Sequence, residues 1–501
     1  MRHAKERITM NYISTRGGSA PVTSAYAIKK GLSEDGGLYM PECIPALTGD
    51  EIRSLVDKDY CDRAVFVLSK FLTDYTQEEL RADVCGAYAP EKFGDCPAPV
   101  TSLRELGYML ELWHGPTCAF KDMALQLMPR LFVRALRKCN EKRTALILVA
   151  TSGDTGKAAL EGYRDVEGTK IKVFYPTGGV SRVQKLQMQT QEGKNVSVSG
   201  IVGNFDDAQT GVKRIFSDKE YARELDSRGV FLSSANSINW GRLVPQIVYY
   251  VSAYCDMVKS GAIALGEEID VCVPTGNFGN IFACYIAKKM GLPVNKLICA
   301  SNKNDVLTEF LTSGRYNKNR LFHTTISPSM DILISSNLER LLYITLGTEK
   351  TRAYMEKLNG EGEYTLCKED FEKISHDFIG ISADEEKTKA TIKNIYESKN
   401  CLIDTHTAVA VYATEQYLNT NKAERKVLTV STASAYKFAR DVYLSLTEKP
   451  IGDLEALTAL CQLTGTEIPA PLAALTSKEV IHTETIKKED MERAVTDFTA
   501  K

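Results

Sequence analysis

Between residues 144 and 301 the chain alternates short unbroken apolar runs with amphipathic stretches, each pair joined by a turn of small polar residues. TALILVA (144–150) has the pattern of a strand buried on both faces. TSGDTG interrupts it, and KAALEGYRD then reads as a helix. KIKVFYP (170–176) predicts a second strand, followed by a TGGVS loop and a helical RVQKLQMQTQ. NVSVSGIVG (195–203) predicts a third strand, and FDDAQTGVKRIFSDKEYARELDS (205–227) one continuous helix. After SSANSINWGRLVPQ, a long helix is expected over 244–259. The stretch 269–291 reads as strand, Gly-rich turn and helix, and KLICAS (296–301) as another strand. The same order returns in KVLTVSTASAYKFARDVY (426–443). Residues 302–380 are less regular and richer in charge, with SPSMDILISSNLERLLY (327–343) expected as a loop and then a helix.

Strands alternating with helices predict an open, mostly parallel α/β sheet architecture with helices on both faces. Ligands of such sheets bind beyond the carboxyl ends of the strands. That draws attention to three turns: TSGDTG (151–156), TGNFGN (275–280) and STASAY (431–436). In TGNFGN, small residues allow backbone amides to approach an anion at a helix start, with Asn277 and Asn280 as neutral donors. No Lys or Ser/Thr follows the second Gly, so it is not a nucleotide P-loop, and it is not GxGxxG. The competing reading is an ordinary strand-to-helix turn. In TSGDTG, Thr151, Ser152 and Thr155 are candidates for a second anion, while Asp154 also suits a helix cap. STASAY presents Thr432 from a strand end, or is a locally bonded Ser/Thr turn.

One lysine stands out. HGPTCAFKD (114–122) places Lys121 between Phe120 and Asp122 at the head of an apolar segment. The plain expectation is an exposed helix-start lysine paired with Asp122. The alternative is a buried amine whose pKa is lowered, suited to bonding the aldehyde of pyridoxal phosphate held at TGNFGN. Pro129 is expected to kink or break the helix behind it.

Bulk properties narrow the class. The chain has 501 residues, 44% hydrophobic and 25% charged, with a formal net charge of −2. That suits a large core and roughly two to four domains, and it offers no basic face for nucleic acid. No apolar run of about 18 residues suggests a membrane span, and the N-terminus lacks a secretory pattern. The 13 cysteines contain no CxxC, as expected of reduced cytoplasmic thiols, and the six histidines show no metal-ligand spacing.

HGPTCAFKD, ATSGDTGKAAL, NSINWGRLVPQ, PTGNFGN, THTAVAVYA and STASAYKF occur in that order, and together they closely resemble threonine synthase. MNYISTRGG, LSEDGGLYMPECIP and SPSMDILISSNLERLLY are similar to the same family, so the resemblance spans roughly residues 10 to 445. The long form with GNFGN resembles the branch found in enteric bacteria and fungi. The resemblance implies a fold-type II (tryptophan synthase β-like) pyridoxal 5'-phosphate enzyme with a small N-terminal domain. It implies conversion of O-phospho-L-homoserine and water to L-threonine and phosphate. By the same match, Lys121 is the Schiff-base lysine, and Gly276, Asn277, Phe278, Gly279 and Asn280 form the cofactor-phosphate loop. Thr432 meets the pyridine nitrogen. Thr151, Ser152, Asp154, Thr155, Asn239 and Arg242 fall on the substrate side. The family often has Asp where Asn280 stands, and Ser434 and Tyr436 replace a His and a small residue.

The expected organisation is an N-terminal domain over 1–95, a catalytic region of two α/β subdomains over 96–450 with TSGDTG on the smaller, and a helical extension over 451–501. No metal, nucleic acid or membrane partner is expected, and the assembly is expected to be a monomer or homodimer. The alternatives are another fold-type II lyase (a serine/threonine dehydratase-like enzyme or a phospho-lyase stopping at an α-keto acid) and, from a different class, a non-catalytic phospho-ligand binding protein.

Overall fold

The computed structural model describes residues 9–151, 153–421 and 425–500. Two parallel sheets carry the fold. The smaller has five parallel strands in the order 485–487, 196–202, 169–176, 144–150, 230–233. The larger has six, in the order 378–382, 294–301, 269–274, 427–431, 108–111, 100–102. Its first five strands run parallel, and 100–102 is antiparallel to 108–111. The apolar runs read as doubly buried are so: Ala145 to Val149 and Ile269 to Pro274 are all buried. Helices cover both faces of such strands, which leaves only the strand ends open to a ligand.

Several boundaries move from their expected places, each for a local reason. The single helix expected over 205–227 is two, Phe205–Ser217 and Lys219–Ser227. Asp218 ends the first and caps the second, its carboxylate accepting the N–H groups of Glu220 and Tyr221 at 2.9 Å each. The long helix begins at Trp240, not 244, because Asn239 caps it by accepting the Gly241 N–H at 2.9 Å. Pro129 breaks its helical segment into Lys121–Leu125 and Met128–Lys138, sitting in the first turn of the second piece. Strands Val230–Ser233 and Phe378–Ser382 are too short to stand out from their neighbours in the sequence.

The Trp240–Lys259 helix is the spine of the molecule. It packs on the 60–71 helix of the N-terminal region, on the 121–125 helix and on the Gly279–Met290 helix. Fully buried Trp240 meets Tyr12 edge-on with ring centroids 5.6 Å apart. Buried Arg63 reaches from the 60–71 helix to the Ser252 hydroxyl at 2.9 Å and Asp256 at 2.6 Å. The 455–464 helix packs on the 439–447 helix beside the larger sheet, and the chain then returns to the smaller sheet, where Thr485–Lys487 pairs with Gly200–Val202 and the Met491–Thr499 helix packs on the 205–217 helix. No helix among the described residues is long and apolar enough to cross a membrane.

Candidate active site

Lys121 is built into the carboxyl end of the larger sheet. A short antiparallel bridge joins Ala119 to Ala433, with the Phe120 N–H donating to the Thr432 carbonyl at 2.8 Å. The helix that starts at Lys121 is entirely buried, and Lys121 itself is 8% exposed. Its expected pairing with Asp122 does not form. Asp122 accepts the Thr117 N–H and hydroxyl, each at 2.7 Å, which ties the loop together and leaves nothing for the lysine. Lys121 Nζ donates instead to Ser329 Oγ at 3.1 Å and Asp154 Oδ2 at 3.4 Å, and lies 4.8 Å from the centroid of the Phe120 ring. Burial lowers its pKa; Asp154 opposes that, and Lys437 and Arg242 reinforce it.

Asp154 comes from the smaller sheet, in the turn after strand 144–150. The helix cap there falls to Thr151, whose hydroxyl accepts the N–H groups of Gly153 at 2.9 Å and Gly156 at 3.0 Å. Asp154 is thus free to point across the cleft. Its Oδ1 takes Lys437 Nζ at 3.0 Å and Gln184 Nε2 at 2.8 Å, and its Oδ2 takes the Ser329 hydroxyl at 2.9 Å. Burial would raise its pKa, but the Lys437 and Lys121 ammonium groups outweigh this and hold the carboxyl well below the usual range. Thr155 is half-buried in the first turn of the same helix. Ser152 lies outside the described residues.

Asn239 and Arg242 differ in character. Asn239 is committed to structure: its oxygen caps the long helix and its nitrogen donates to the Ile28 carbonyl at 2.8 Å. Arg242 is buried with one bond, from Nη1 to the Ala235 carbonyl at 2.7 Å, while its Nε has no partner among the described residues. Burial pulls its pKa down to about 10. A buried guanidinium that makes no ion pair among the described residues is costly, and an anion would relieve it.

The TGNFGN turn has the form of an anion cradle. Phe278 adopts a left-handed conformation (φ 61°) and no side chain caps the helix that follows. Backbone N–H groups from Gly276 to Asn280 donate to no other loop among the described residues. The Tyr249 and Tyr250 hydroxyls converge on Asn280 Oδ1, leaving buried Asn280 Nδ2 without a partner among the described residues. Asn337 fixes the loop by donating its backbone and side-chain nitrogens to the Asn277 carbonyl at 3.1 and 2.8 Å. Unpaired donors at a helix start, with buried Thr432 beside a buried lysine, fit the phosphate, ring and aldehyde of pyridoxal phosphate.

Sequence reasoning missed four contributors: Ser329, His406, Lys437 and Gln184. The first three lie in motifs quoted above, but only long-range folding brings them to Lys121 and Asp154.

Residues 11–88 match the family model for the threonine synthase N terminus, and residues 94–433 that for pyridoxal-phosphate dependent enzymes. Threonine synthase-like 1 of Homo sapiens is 40% identical over 441 residues, 85% of this chain, which spans only 58% of that relative. Threonine synthase of Pseudomonas aeruginosa is 38% identical over 442 residues, covering 86% of this chain and 90% of that one. The crystal structure of pyridoxal-phosphate-bound threonine synthase from Brucella melitensis superposes with a TM-score of 0.87 at 35% identity, covering 98% of this chain and 100% of that one. With the cleft, the buried lysine and the unpaired donors in place, these similarities establish that the chain belongs to the threonine synthase family of fold-type II, pyridoxal-phosphate-dependent enzymes.

Proposed function

We propose that this chain is itself a threonine synthase, converting O-phospho-L-homoserine and water to L-threonine and phosphate, as a cytoplasmic monomer or homodimer. One observation carries the reading: a buried amine, Lys121, lies in a cleft with two separate sets of anion donors. These are the amides of Gly276 to Asn280 and the guanidinium of Arg242, which makes no ion pair among the described residues. A reaction with one phosphate on the cofactor and another on the substrate needs both.

Lys121, Gly276 to Asn280 and Thr432 would hold the cofactor, with the Thr432 hydroxyl at the ring nitrogen. Pyridoxal phosphate supplies an electron sink that makes the substrate's Cα and Cβ hydrogens acidic. Lys121 Nζ carries those protons, and burial suits it by lowering its pKa. Arg242 would bind the substrate phosphate, with Thr151, Ser152 and Thr155 as further candidate ligands for it. Asp154 is better suited to holding the two lysines in register than to meeting an anion. Phosphate departs from Cγ with the C–O bonding pair, the two protons return to Cγ and Cα, and water adds its hydroxyl at Cβ while its remaining proton ends on the released phosphate.

The second reading is a related lyase that releases phosphate or water and stops at an α-keto acid. The test is turnover of O-phospho-L-homoserine in oxygen-18 water. One phosphate per threonine, with label in the β-hydroxyl, is the expected result. Mainly 2-oxobutyrate would transfer the chain to the second reading.

A further inference from the structure

The reading above gives no role to SPSMDILISSNLERLLY, yet its Ser329 touches the lysine directly. Lys121 Nζ is 3.1 Å from Ser329 Oγ and 3.4 Å from Asp154 Oδ2. Ser329 Oγ donates to that same Asp154 oxygen at 2.9 Å.

The serine is held from both sides. Its N–H donates to His406 Nε2 at 3.1 Å, so that ring nitrogen accepts and the ring proton is on Nδ1. Nδ1 in turn donates to Asp404 Oδ2 at 2.8 Å, and Asp404 also accepts the N–H groups of His406 at 2.9 Å and Thr407 at 3.0 Å. On the other side the Ser329 carbonyl lies against Gly276, where a Cβ would come within 2.6 Å of it. The Pro328–Met330 turn is therefore wedged between the Asp404–His406 pair and the TGNFGN loop.

The geometry points to Ser329 as a positioning residue for the reaction, whose hydroxyl aims the lone pair of Lys121. The inference rests on Lys121 being the amine that moves protons. A neutral amine has two hydrogens and one lone pair. Ser329 has a single hydrogen, and Asp154 takes it, so Oγ meets Nζ as an acceptor. Oγ and Oδ2 together occupy both Nζ hydrogens. The lone pair is left along the one remaining tetrahedral direction, away from the two oxygens. Without Oγ, Nζ keeps only the long contact to Asp154 and is free to turn, so the base points at its carbon for a fraction of the time. The hydroxyl ends each cycle as it began, with no proton transferred to it.

The test compares Ser329→Ala and Ser329→Thr with the parent, as holoenzymes. Turnover and the wash-out of deuterium from substrate Cα into water are measured side by side. For Ser329→Ala, kcat and wash-out should fall together by roughly 10- to 100-fold, with KM within about two-fold. Cofactor absorbance and Tm should match the parent, and Ser329→Thr, which restores the hydroxyl, should recover most of the rate. Any of four results would overturn the inference: an alanine variant within about two-fold of the parent, a loss cured by excess cofactor, a fall in kcat with unchanged wash-out, or a threonine variant no better than alanine. A parent that exchanges Cα hydrogen but makes no threonine would remove the functional reading and leave the Ser329 comparison standing.

Discussion

Asp122 shows how a residue's neighbour in sequence can differ from its partner in space. Beside Lys121 it invites a local ion pair, but its carboxylate is fully buried against Thr117, and burial pushes its pKa up to about 6. A raised folded pKa means that the stability this group contributes is complete below its unfolded pKa, near 3.8, and is lost as pH rises through about 6. The span corresponds to about 3 kcal/mol at 1.36 kcal/mol per pH unit. Asp122→Asn cannot titrate there. Its stability relative to the parent should rise by up to that amount between pH 4 and pH 7, whatever constant offset the lost Thr117 bond imposes. Denaturant melts at several pH values would show it, and a flat difference would mean that Asp122 is charged throughout. The lysine itself was legible because its motif is local. Its partners Asp154 and Ser329 were not, nor was Lys437 beside them, because these come from three other turns and no spacing in the sequence ties them to residue 121.

At the level of elements, the two glycines of GNFGN look alike in sequence and separate in the structure. A Cβ at Gly276 would lie 2.6 Å from the Ser329 carbonyl oxygen, a backbone atom that cannot turn aside. At Gly279 the nearest atom is Asn337 Nδ2 at 3.4 Å, an ordinary contact. Gly276→Ala should therefore lower the melting temperature of the cofactor-free protein and dislodge the serine turn. Gly279→Ala should leave that temperature unchanged and loosen only the cofactor, by crowding the amides that approach its phosphate. Differential scanning with and without pyridoxal phosphate separates the two, and equal losses in the cofactor-free state would refute the distinction. Long buried strands and the turns after them could be read directly, because both-face burial leaves an unbroken apolar run. The four-residue strand Val230–Ser233 and the break at Asp218 could not. The first is too short to show a period, and the second depends on one carboxylate serving as a cap in the middle of a helical pattern.

Across the whole molecule, the cleft closes on a charge arrangement that lacks one member. Asp154 reaches from the smaller sheet to Lys121, Lys437 and Ser329 on the larger, so the side-chain lysines and their acid are mutually satisfied. Arg242, on the helix that packs against the N-terminal region and the 121–125 helix, makes no ion pair among the described residues, and its nearest acid influence is Asp122, already bonded to Thr117. Because an uncompensated buried guanidinium costs stability, Arg242→Gln should leave the ligand-free melting temperature equal or higher. The same change should raise KM for O-phospho-L-homoserine by roughly 10- to 100-fold, the worth of a charge-assisted bond to phosphate of about 1.5–3 kcal/mol. Homoserine without its phosphate should be a very poor substrate of the parent, since hydroxide leaves far less readily than phosphate and Arg242 gains no anion. It should also be indifferent to Arg242→Gln, because the lost group was making no contact with it. Parallel kinetics on the two substrates decide the matter. A variant that loses both activities equally would make Arg242 a structural residue of the cleft and place the substrate phosphate elsewhere.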